Sequence, residues 1–346
     1  MPIDTPNNAY MNHVAQWRRI RDALAGEDAV KARASSYLLI PASFNWEDRD
    51  GFVRAANWFP ATARTHAGLT GAIFRKDPIV TADDQDFLSN VTGNGTPFTP
   101  FARSIVSETI ALGRVGVIVD VALDGKPYLA RYQTENILNT RTTIIDGRPV
   151  LSMVVLRETA SRPKQDDRFV TEEVKRYRLL ELARTDSSAS PVYAVTIFER
   201  GRNGIERVEG PMIPTKRGRP LDFIPFVVIS PSGLSPTAIE QSPLLGLVDM
   251  NFAHFRNSAD YENSIFHVGS PMYVLSGLPI DGDKMGEVRV GANNVLWMSE
   301  NGKVELIQAS AESVGALAQA LSDKEQRMAV LGARLLEKQK SGKRIC

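Results

Sequence analysis

The sequence contains very few residues that could form disulfide bonds or metal-binding sites. Its one cysteine, Cys346, is the last of 346 residues, so no disulfide can form within the chain and no cysteine-based zinc or iron–sulfur site is available. The four histidines lie at 13, 66, 254 and 267, without the close spacing of a metal site. We therefore predict a protein of a reducing compartment that uses no metal and no cofactor.

Long apolar runs and an excess of charge of one sign are also missing. The longest apolar stretches, around 115–119 and 223–229, are far shorter than the ~20 residues that cross a bilayer. Residues 1–8 lack the pattern of a signal peptide. The net charge is +1, with 41 basic and 40 acidic residues, which argues against strong electrostatic binding of nucleic acid by the whole surface. These features predict a soluble cytoplasmic chain with no membrane partner and only local or loose contact with DNA.

The familiar motifs of catalysis are absent as well. The sequence contains no Gly-x4-Gly-Lys-Ser/Thr phosphate loop, no Gly-x-Ser-x-Gly nucleophile elbow and no His-Glu-x-x-His zinc motif. We predict no catalytic residues and no enzymatic activity. One alternative stays open, because carboxylates distant in sequence can meet in the folded chain: a carboxylate-dependent hydrolase such as a nuclease or peptidase.

The composition is that of a globular protein, with 43% hydrophobic and 23% charged residues. Apolar residues at helical spacing predict helices over 10–34 and 52–74, and Thr99-Pro100 and Gly113 mark the start and stop of a third. The first of these helices has Trp17, Ile20 and Leu24 on one face. The N-terminal part of the chain is therefore predicted to be helical.

The middle of the chain has the pattern of antiparallel strands. Apolar segments flank the turn sequences Asp124-Gly125, Asp146-Gly147 and 201–204, which are typical of hairpins. Residues 160–167 are polar and are expected to form an exposed loop, and 223–229 a further strand. We therefore predict an antiparallel β-meander, which together with the helices gives an α+β fold.

In the C-terminal part of the chain, the apolar pattern predicts two long amphipathic helices, 242–266 and 311–338, with a small β-rich insert between them. Phe252, Phe255 and Phe266 lie on the apolar face of the first, and His254 on its polar face. The short strands of the insert are expected at 272–275, 287–290, 295–298 and 304–307. Two interpretations are open: a helical hairpin packed within its own domain, or helices that pack against neighbouring copies in a closed ring.

Several segments, taken in order, resemble the portal proteins of tailed bacteriophages, in a branch catalogued as a domain of unknown function. The resemblance spans about 35–337 and depends on order and spacing. Its segments are 57–65 (NWFPATART), 68–78 (GLTGAIFRKDP), 112–120 (LGRVGVIVD), 135–137 (ENI), 224–227 (IPFV), 242–245 (SPLL), 249–251 (DMN), 257–262 (NSADYE), 323–325 (DKE), 328–329 (MA) and 331–336 (LGARLL).

The resemblance implies a portal-like architecture of wing, stem and clip. The implied parts are a wing domain at 1–240, stem helix 1 at 241–267, a clip at 268–309, stem helix 2 at 310–338 and a basic tail at 339–346. Family members continue into a tunnel loop and a crown, so this chain is expected to be a C-terminally truncated member. An alternative is another virion adaptor or minor capsid protein.

Such a protein is expected to form a homo-oligomeric ring, usually a dodecamer, at one vertex of the viral capsid. Double-stranded DNA passes through the ring during DNA packaging and ejection. The implied partners are the terminase large subunit, the head-tail connector or adaptor, and the major capsid and scaffolding proteins. The implied location is the virion, with assembly in the cytoplasm of the bacterial host.

Helix phase nominates the residues that would face the DNA tunnel. Four cations lie off the apolar stripe of stem helix 2: Lys324, Arg327, Arg334 and Lys338. The alternative is that these four cations lie on a solvated face of the helix and form salt pairs with Asp323 and Glu325. In the clip, the charged candidates for terminase or adaptor docking are Asp281, Asp283, Lys284, Glu287 and Arg289. The alternative is that these five are ordinary charged residues of a loop, without a role in docking.

Overall fold

A computed structural model describes residues 2–82, 84–122, 124–164, 167–183, 191–201, 204–233, 237–269, 272–276, 303–307 and 311–336. The helices are α1 Asn8–Ala25, α2 Glu27–Ala32, α3 Ala34–Tyr37, α4 Trp46–Ala55, α5 Ala61–Ile73, α6 Gln85–Ser89, α7 Phe98–Leu112, α8 Leu245–Gly269 and α9 Ala311–Leu336. The strands are β1 Val115–Val121, β2 Pro127–Gln133, β3 Ile137–Ile145, β4 Arg148–Lys164, β5 Asp167–Ala183, β6 Val192–Gly201, β7 Gly204–Met212, β8 Thr215–Lys216, β9 Arg219–Pro220, β10 Phe226–Ile229, β11 Met272–Ser276 and β12 Lys303–Ile307. The predicted α+β class is confirmed.

Two helices predicted as continuous are broken. The prediction over 10–34 is wrong because Gly26 adopts φ 100° between α1 and α2, a conformation that helical residues do not take. The prediction over 52–74 is wrong because Ala56 is extended after α4, and α5 begins only after Pro60. A proline disfavours helical backbone in the residue before it.

The helix α7 ends where the sequence predicted, at Gly113. This residue has φ 76° and its N–H donates to the carbonyl of Thr109 at 2.8 Å, as in a left-handed helix cap. A Cβ at this position would lie 2.9 Å from the carbonyl oxygen of Glu240. Its start was predicted two residues late, since Pro97 rather than Thr99 occupies the N-cap.

The sheets are antiparallel, as predicted. The three-stranded sheet has the order β10-β1-β2, and the five-stranded sheet is the meander β3-β4-β5-β6-β7. In the described part of the chain, β8 also pairs with β9, and β11 with β12. The expected loop at 160–167 is wrong, because β4 continues to Lys164 and β5 resumes at Asp167. Charged pairs stabilise this polar extension: Nε of Arg162 lies 2.7 Å from Oε1 of Glu172 across the two strands.

Apolar residues of the three-stranded and five-stranded sheets pack together in a core. It contains Ile118, Tyr132, Ile137, Val154, Leu156, Leu180, Tyr193, Val195, Ile224 and Phe226, all buried. Beside it, Arg21 on α1 joins two carboxylates: its Nε donates to Glu135 at 2.7 Å and its Nη1 to Glu108 at 3.0 Å. Only 5% of the Glu108 side chain is exposed, so this network neutralises a buried charge.

The chain divides into two compact units. The first comprises the described residues of Met1–Leu24, Thr62–Val248 and Ala333–Cys346, and the second those of Ala25–Ala61 and Asp249–Gly332. The second unit thus combines α2, α3 and α4 with most of α8 and α9. The boundaries of wing, stem and clip given above stay a prediction.

The C-terminal helices and the strands next to them match the sequence pattern closely. α8 has 25 residues and α9 has 26, which corresponds to about 38 Å each at ~1.5 Å per residue. Between them, β11 pairs antiparallel with β12, with Met272 opposite Ile307. The strands predicted at 287–290 and 295–298, and residues 337–338 of the second helix, lie outside the described residues.

Candidate functional site on the second unit

The start of α8 is fixed by the side chain of Ser242. Its Oγ donates to the carbonyl of Ala111 at 2.6 Å and accepts from the N–H of Leu244 at 3.1 Å. The N–H of Leu245, the first residue of α8, donates to the carbonyl of Ser242 at 3.1 Å. Ser242 therefore anchors the turn that leads into α8, which begins at Leu245, three residues later than the predicted start at 242.

Aromatic residues hold the middle of α8 within the second unit. The ring of Trp58 lies 5.1 Å from that of Phe252 and 5.7 Å from that of Phe255. Nδ2 of Asn251 donates to the carbonyl of Phe59 at 2.7 Å, and the N–H of Asn57 donates to Oγ of Ser258 at 2.8 Å. These contacts fix the rotation of α8, and therefore which of its side chains face outward.

His254 is the buried polar contact between α8 and α9. The sequence placed it on the polar face, but only 5% of it is exposed, and its Nε2 lies 3.2 Å from Oε1 of Glu325. Burial lowers the pKa of His254, although the hydrogen bond and charge of Glu325 oppose this change. The neutral ring with its proton on Nε2 fits this geometry.

Next to this contact lies a basic cluster, defined here as Arg256, Lys324 and Arg327. The pKa of Lys324 is lowered by burial first and then by the positive charges of Arg256 and Arg327. Among the described residues, no carboxylate lies within ion-pair distance of these three cations. Asp323 instead accepts a hydrogen bond from Nε2 of Gln319 at 2.7 Å. The cluster is thus a site of uncompensated positive charge.

The cluster includes two of the predicted tunnel residues and one that sequence reasoning missed. Lys324 and Arg327 lie on α9 as expected, whereas Arg256 lies on α8 and was not among the predicted tunnel residues. Arg334 lies in α9, but its side chain is not among the described ones, and Lys338 is outside the described residues. The clip candidates Asp281, Asp283, Lys284, Glu287 and Arg289 are also outside them.

The two long helices expose large apolar side chains. Phe266, predicted to belong to the apolar face of α8, is 66% exposed, and Ile265 beside it is also exposed. On α9, Val330 is 50% exposed, whereas Met328 is buried. The packing of the single chain therefore leaves part of the apolar surface of both helices uncovered.

A groove separates α4 from the end of α8. We call it the α4/α8 groove; its volume is about 400 Å³, and it is lined by Phe44, Glu47, Asp48, Gly51, Phe52, Ala55, Glu262, Asn263, Phe266 and His267. Aromatic rings form its apolar part and three carboxylates its edge. Of these, Glu262 accepts a hydrogen bond from Nδ2 of Asn57 at 2.9 Å.

Within the described ranges, no group of three or more His, Cys, Asp or Glu side chains is placed to hold a metal ion. None of the helices described above combines the length and apolar character needed to span a bilayer.

Comparison with known proteins gives one family match and distant structural matches. Residues 243–344 match the family model described as a domain of unknown function, DUF4055. No curated protein matches the sequence. A chain from the "virion of native gene transfer agent (GTA) particle" is similar, with 12% identity and a TM-score of 0.39, over 89% of this chain and 73% of that one. A chain from the "neck of empty GTA particle computed with C6 symmetry" is 13% identical with a TM-score of 0.39, over 82% of this chain and 66% of that one.

Proposed function

We propose that this chain is a portal protein of a tailed bacteriophage or a phage-like particle, forming a ring through which double-stranded DNA passes. One observation carries the proposal: α8 and α9 flank the β11–β12 pair and keep exposed apolar residues. In the sequence resemblance described above, two such helices form the stem and the β-rich insert forms the clip.

The exposed apolar side chains favour assembly with further copies. Burying one large apolar side chain stabilises a contact by about 1.5–3 kcal/mol, and Phe266 and Val330 are exposed in the single chain. Contact between two different faces of identical subunits continues from copy to copy and closes into a ring when the rotation allows it. A ring, usually of twelve copies in the portal family, would cover these residues.

The basic cluster of Arg256, Lys324 and Arg327 supplies the proposed contact with DNA. These cations lack a carboxylate partner among the described residues, so a phosphate group would relieve their mutual repulsion. A conduit needs few such contacts, because each phosphate neutralised strengthens binding and slows sliding. The net charge of +1 on the whole chain is compatible with a weak, local contact.

The remaining roles in the proposal fall to other proteins. In this proposal the chain itself catalyses no reaction. ATP is hydrolysed by the terminase large subunit, which docks on the clip. A head-tail adaptor later takes that position, and the major capsid and scaffolding proteins surround the ring at the portal vertex of the virion.

Electron microscopy and light scattering of the purified chain test the proposal. A closed ring with a central hole is the expected result. Single chains at every concentration, in this chain and in a version extended with a homologous C-terminal region, would overturn it.

A matched pair of variants separates assembly from folding. Val330→Glu puts a charge on the exposed apolar surface of α9 and is expected to prevent ring formation while circular dichroism stays unchanged. Ile144→Glu changes an isoleucine of β3 that is 77% exposed, and rings are expected to form normally. Equal assembly of both variants would contradict a role of α9 in contacts between copies.

A further inference from the structure

The α4/α8 groove combines an apolar interior with an acidic edge. Phe44 and Phe52 pack edge to face at 5.7 Å, and Phe266 stands exposed beside them. Gly51 and Ala55 are small, and a Cβ at Gly51 would meet no atom within 4 Å. The groove therefore has room for an apolar side chain that the single chain does not supply.

The edge of the groove determines the chemistry of its occupant. Glu47, Asp48 and Glu262 are the carboxylates that line it, and its lining residues include no lysine or arginine. A basic segment with an apolar side chain suits this combination, because opposite charges favour the correct partner and like charges disfavour the wrong one.

The described residues contain a segment with these properties. We call residues 75–80 the arm; it follows α5 and reads Arg75-Lys76-Asp77-Pro78-Ile79-Val80. Ile79 is 98% exposed, and Val80 is also exposed. Among the described residues, the side chains of the arm form no hydrogen bond or ion pair.

The arm is suited to docking for two physical reasons. Pro78 fixes its own φ and restricts the residue before it, so the arm loses less conformational entropy on binding. Its two cations and one carboxylate give the arm a net positive charge, whereas the three carboxylates make the groove edge negative. An almost fully exposed isoleucine gains the most from entering an apolar groove.

We propose that the arm of one copy docks in the α4/α8 groove of the neighbouring copy. Ile79 enters between the rings of Phe44, Phe52 and Phe266, and Arg75 and Lys76 face Glu47, Asp48 and Glu262. The inference rests on the proposed ring, since each copy offers both an arm and a groove. Two different faces of this kind form a contact that repeats around a closed assembly without leaving either face free.

Cysteine cross-linking between two differently tagged chains tests the contact. Both chains carry Cys346→Ser; one also carries Ala55→Cys in the groove, and the other Ile79→Cys. After co-expression, a short bismaleimide is expected to link the two tags at least tenfold more than when Ile144→Cys replaces Ile79→Cys. Light scattering on the same samples reports whether assemblies have formed.

The outcomes distinguish this contact from the ring itself. Rings with a cross-link no stronger than the Ile144→Cys control would overturn the docking and leave the proposed ring intact. Single chains without a cross-link would overturn both. A link that forms only when both cysteines are placed in one chain would show that the arm reaches its own groove, which also overturns the docking.

Filling the groove gives a second, independent measurement. Gly51→Trp is expected to reduce the Ala55–Ile79 cross-link at least tenfold, whereas Gly51→Ala, with its Cβ in open space, leaves it unchanged. Reversing the arm with Arg75→Glu and Lys76→Glu should weaken the link, and adding Glu47→Lys and Asp48→Lys in the other chain should restore it. A link unaffected by both Gly51→Trp and the arm reversal would overturn the docking.

Discussion

Nε2 of His254 lies 3.2 Å from Oε1 of Glu325, and this contact joins α8 to α9 inside the second unit. The carboxylate favours a charged imidazole, yet burial of the ring outweighs it and lowers the pKa. Nδ1 of His254 has no hydrogen-bond partner among the described residues. A protonated ring would leave that second N–H unsatisfied, which explains why the neutral form suits this position.

The first prediction concerns acid stability. Folding holds the pKa of His254 below its ordinary value of 6.5, so below that pH the unfolded chain binds the proton more readily than the folded chain. The contribution of His254 to the free energy of unfolding is therefore full above about pH 6.5 and falls as the pH drops towards the folded pKa. His254→Gln keeps a donor for Glu325 and does not titrate. Urea unfolding between about pH 5 and 7 should show a weaker pH dependence in this variant, and superimposable curves would contradict the prediction.

The second prediction concerns the buried network of the first unit. Arg21→Met leaves the buried Glu108 carboxylate with only the more distant Arg131, whose Nη1 lies 3.9 Å away, and should lower the free energy of unfolding by about 3 kcal/mol. Arg162→Met removes an exposed cross-strand pair with Glu172 and should lower the free energy of unfolding much less, because solvent screens such a pair. Chemical denaturation of both variants makes the comparison. Equal losses would mean that the Arg21 network does not compensate a buried charge.

The third prediction concerns the cap of α7. Gly113→Ala places an alanine in a left-handed backbone conformation at φ 76° and brings its Cβ to 2.9 Å from the carbonyl oxygen of Glu240. Because both effects strain the folded chain, the substitution should lower the free energy of unfolding by about 2 kcal/mol. Gly68→Ala is the matched control, because this glycine lies in α5 and a Cβ there meets nothing within 4 Å. It should raise stability by about 0.5–1 kcal/mol. Thermal unfolding measures both, and a neutral Gly113→Ala would count against this account of the cap.

The fourth prediction concerns the basic cluster. Reversing Lys324 and Arg327 to glutamate in the assembled ring should reduce binding of double-stranded DNA several-fold at low salt and make binding less dependent on salt. The control reverses Lys216 and Arg219, two exposed residues of the β8–β9 hairpin. Fluorescence anisotropy with a DNA duplex measures the difference, after electron microscopy has verified that both variants form rings. Identical binding by the two reversed proteins would remove the cluster from the proposed DNA contact.

Local sequence signals predicted much of the fold. The Asp124-Gly125 and Asp146-Gly147 turns connect the strands that flank them, and Gly113 ends α7, because in each case the turn chemistry acts within a few residues. The failures also have local causes: Gly26 and Pro60 interrupt helices whose apolar spacing continues past them. The expected loop at 160–167 failed because cross-strand pairing stabilises a polar strand that composition alone assigns to a turn.

The site was less predictable because it depends on contacts between distant segments. Helix phase selected Lys324 and Arg327 as candidates, but their association with Arg256 depends on the packing of α8 against α9. The burial of His254 was missed for the same reason, since its neighbour Phe59 comes from a segment almost two hundred residues earlier, with ring centroids 5.6 Å apart. No spacing rule identifies the α4/α8 groove, whose lining comes from 44–55 and 262–267.

The division of the chain into interleaved units has a consequence for its synthesis. Residues 25–61 leave the ribosome long before residues 249–332, with which they form one unit. At about 5–20 residues per second, Trp58 waits roughly ten seconds or more for Phe252 and Phe255 to be translated. During that interval an aromatic surface of the nascent polypeptide has no native partner, so this early segment is where a chaperone would be needed most.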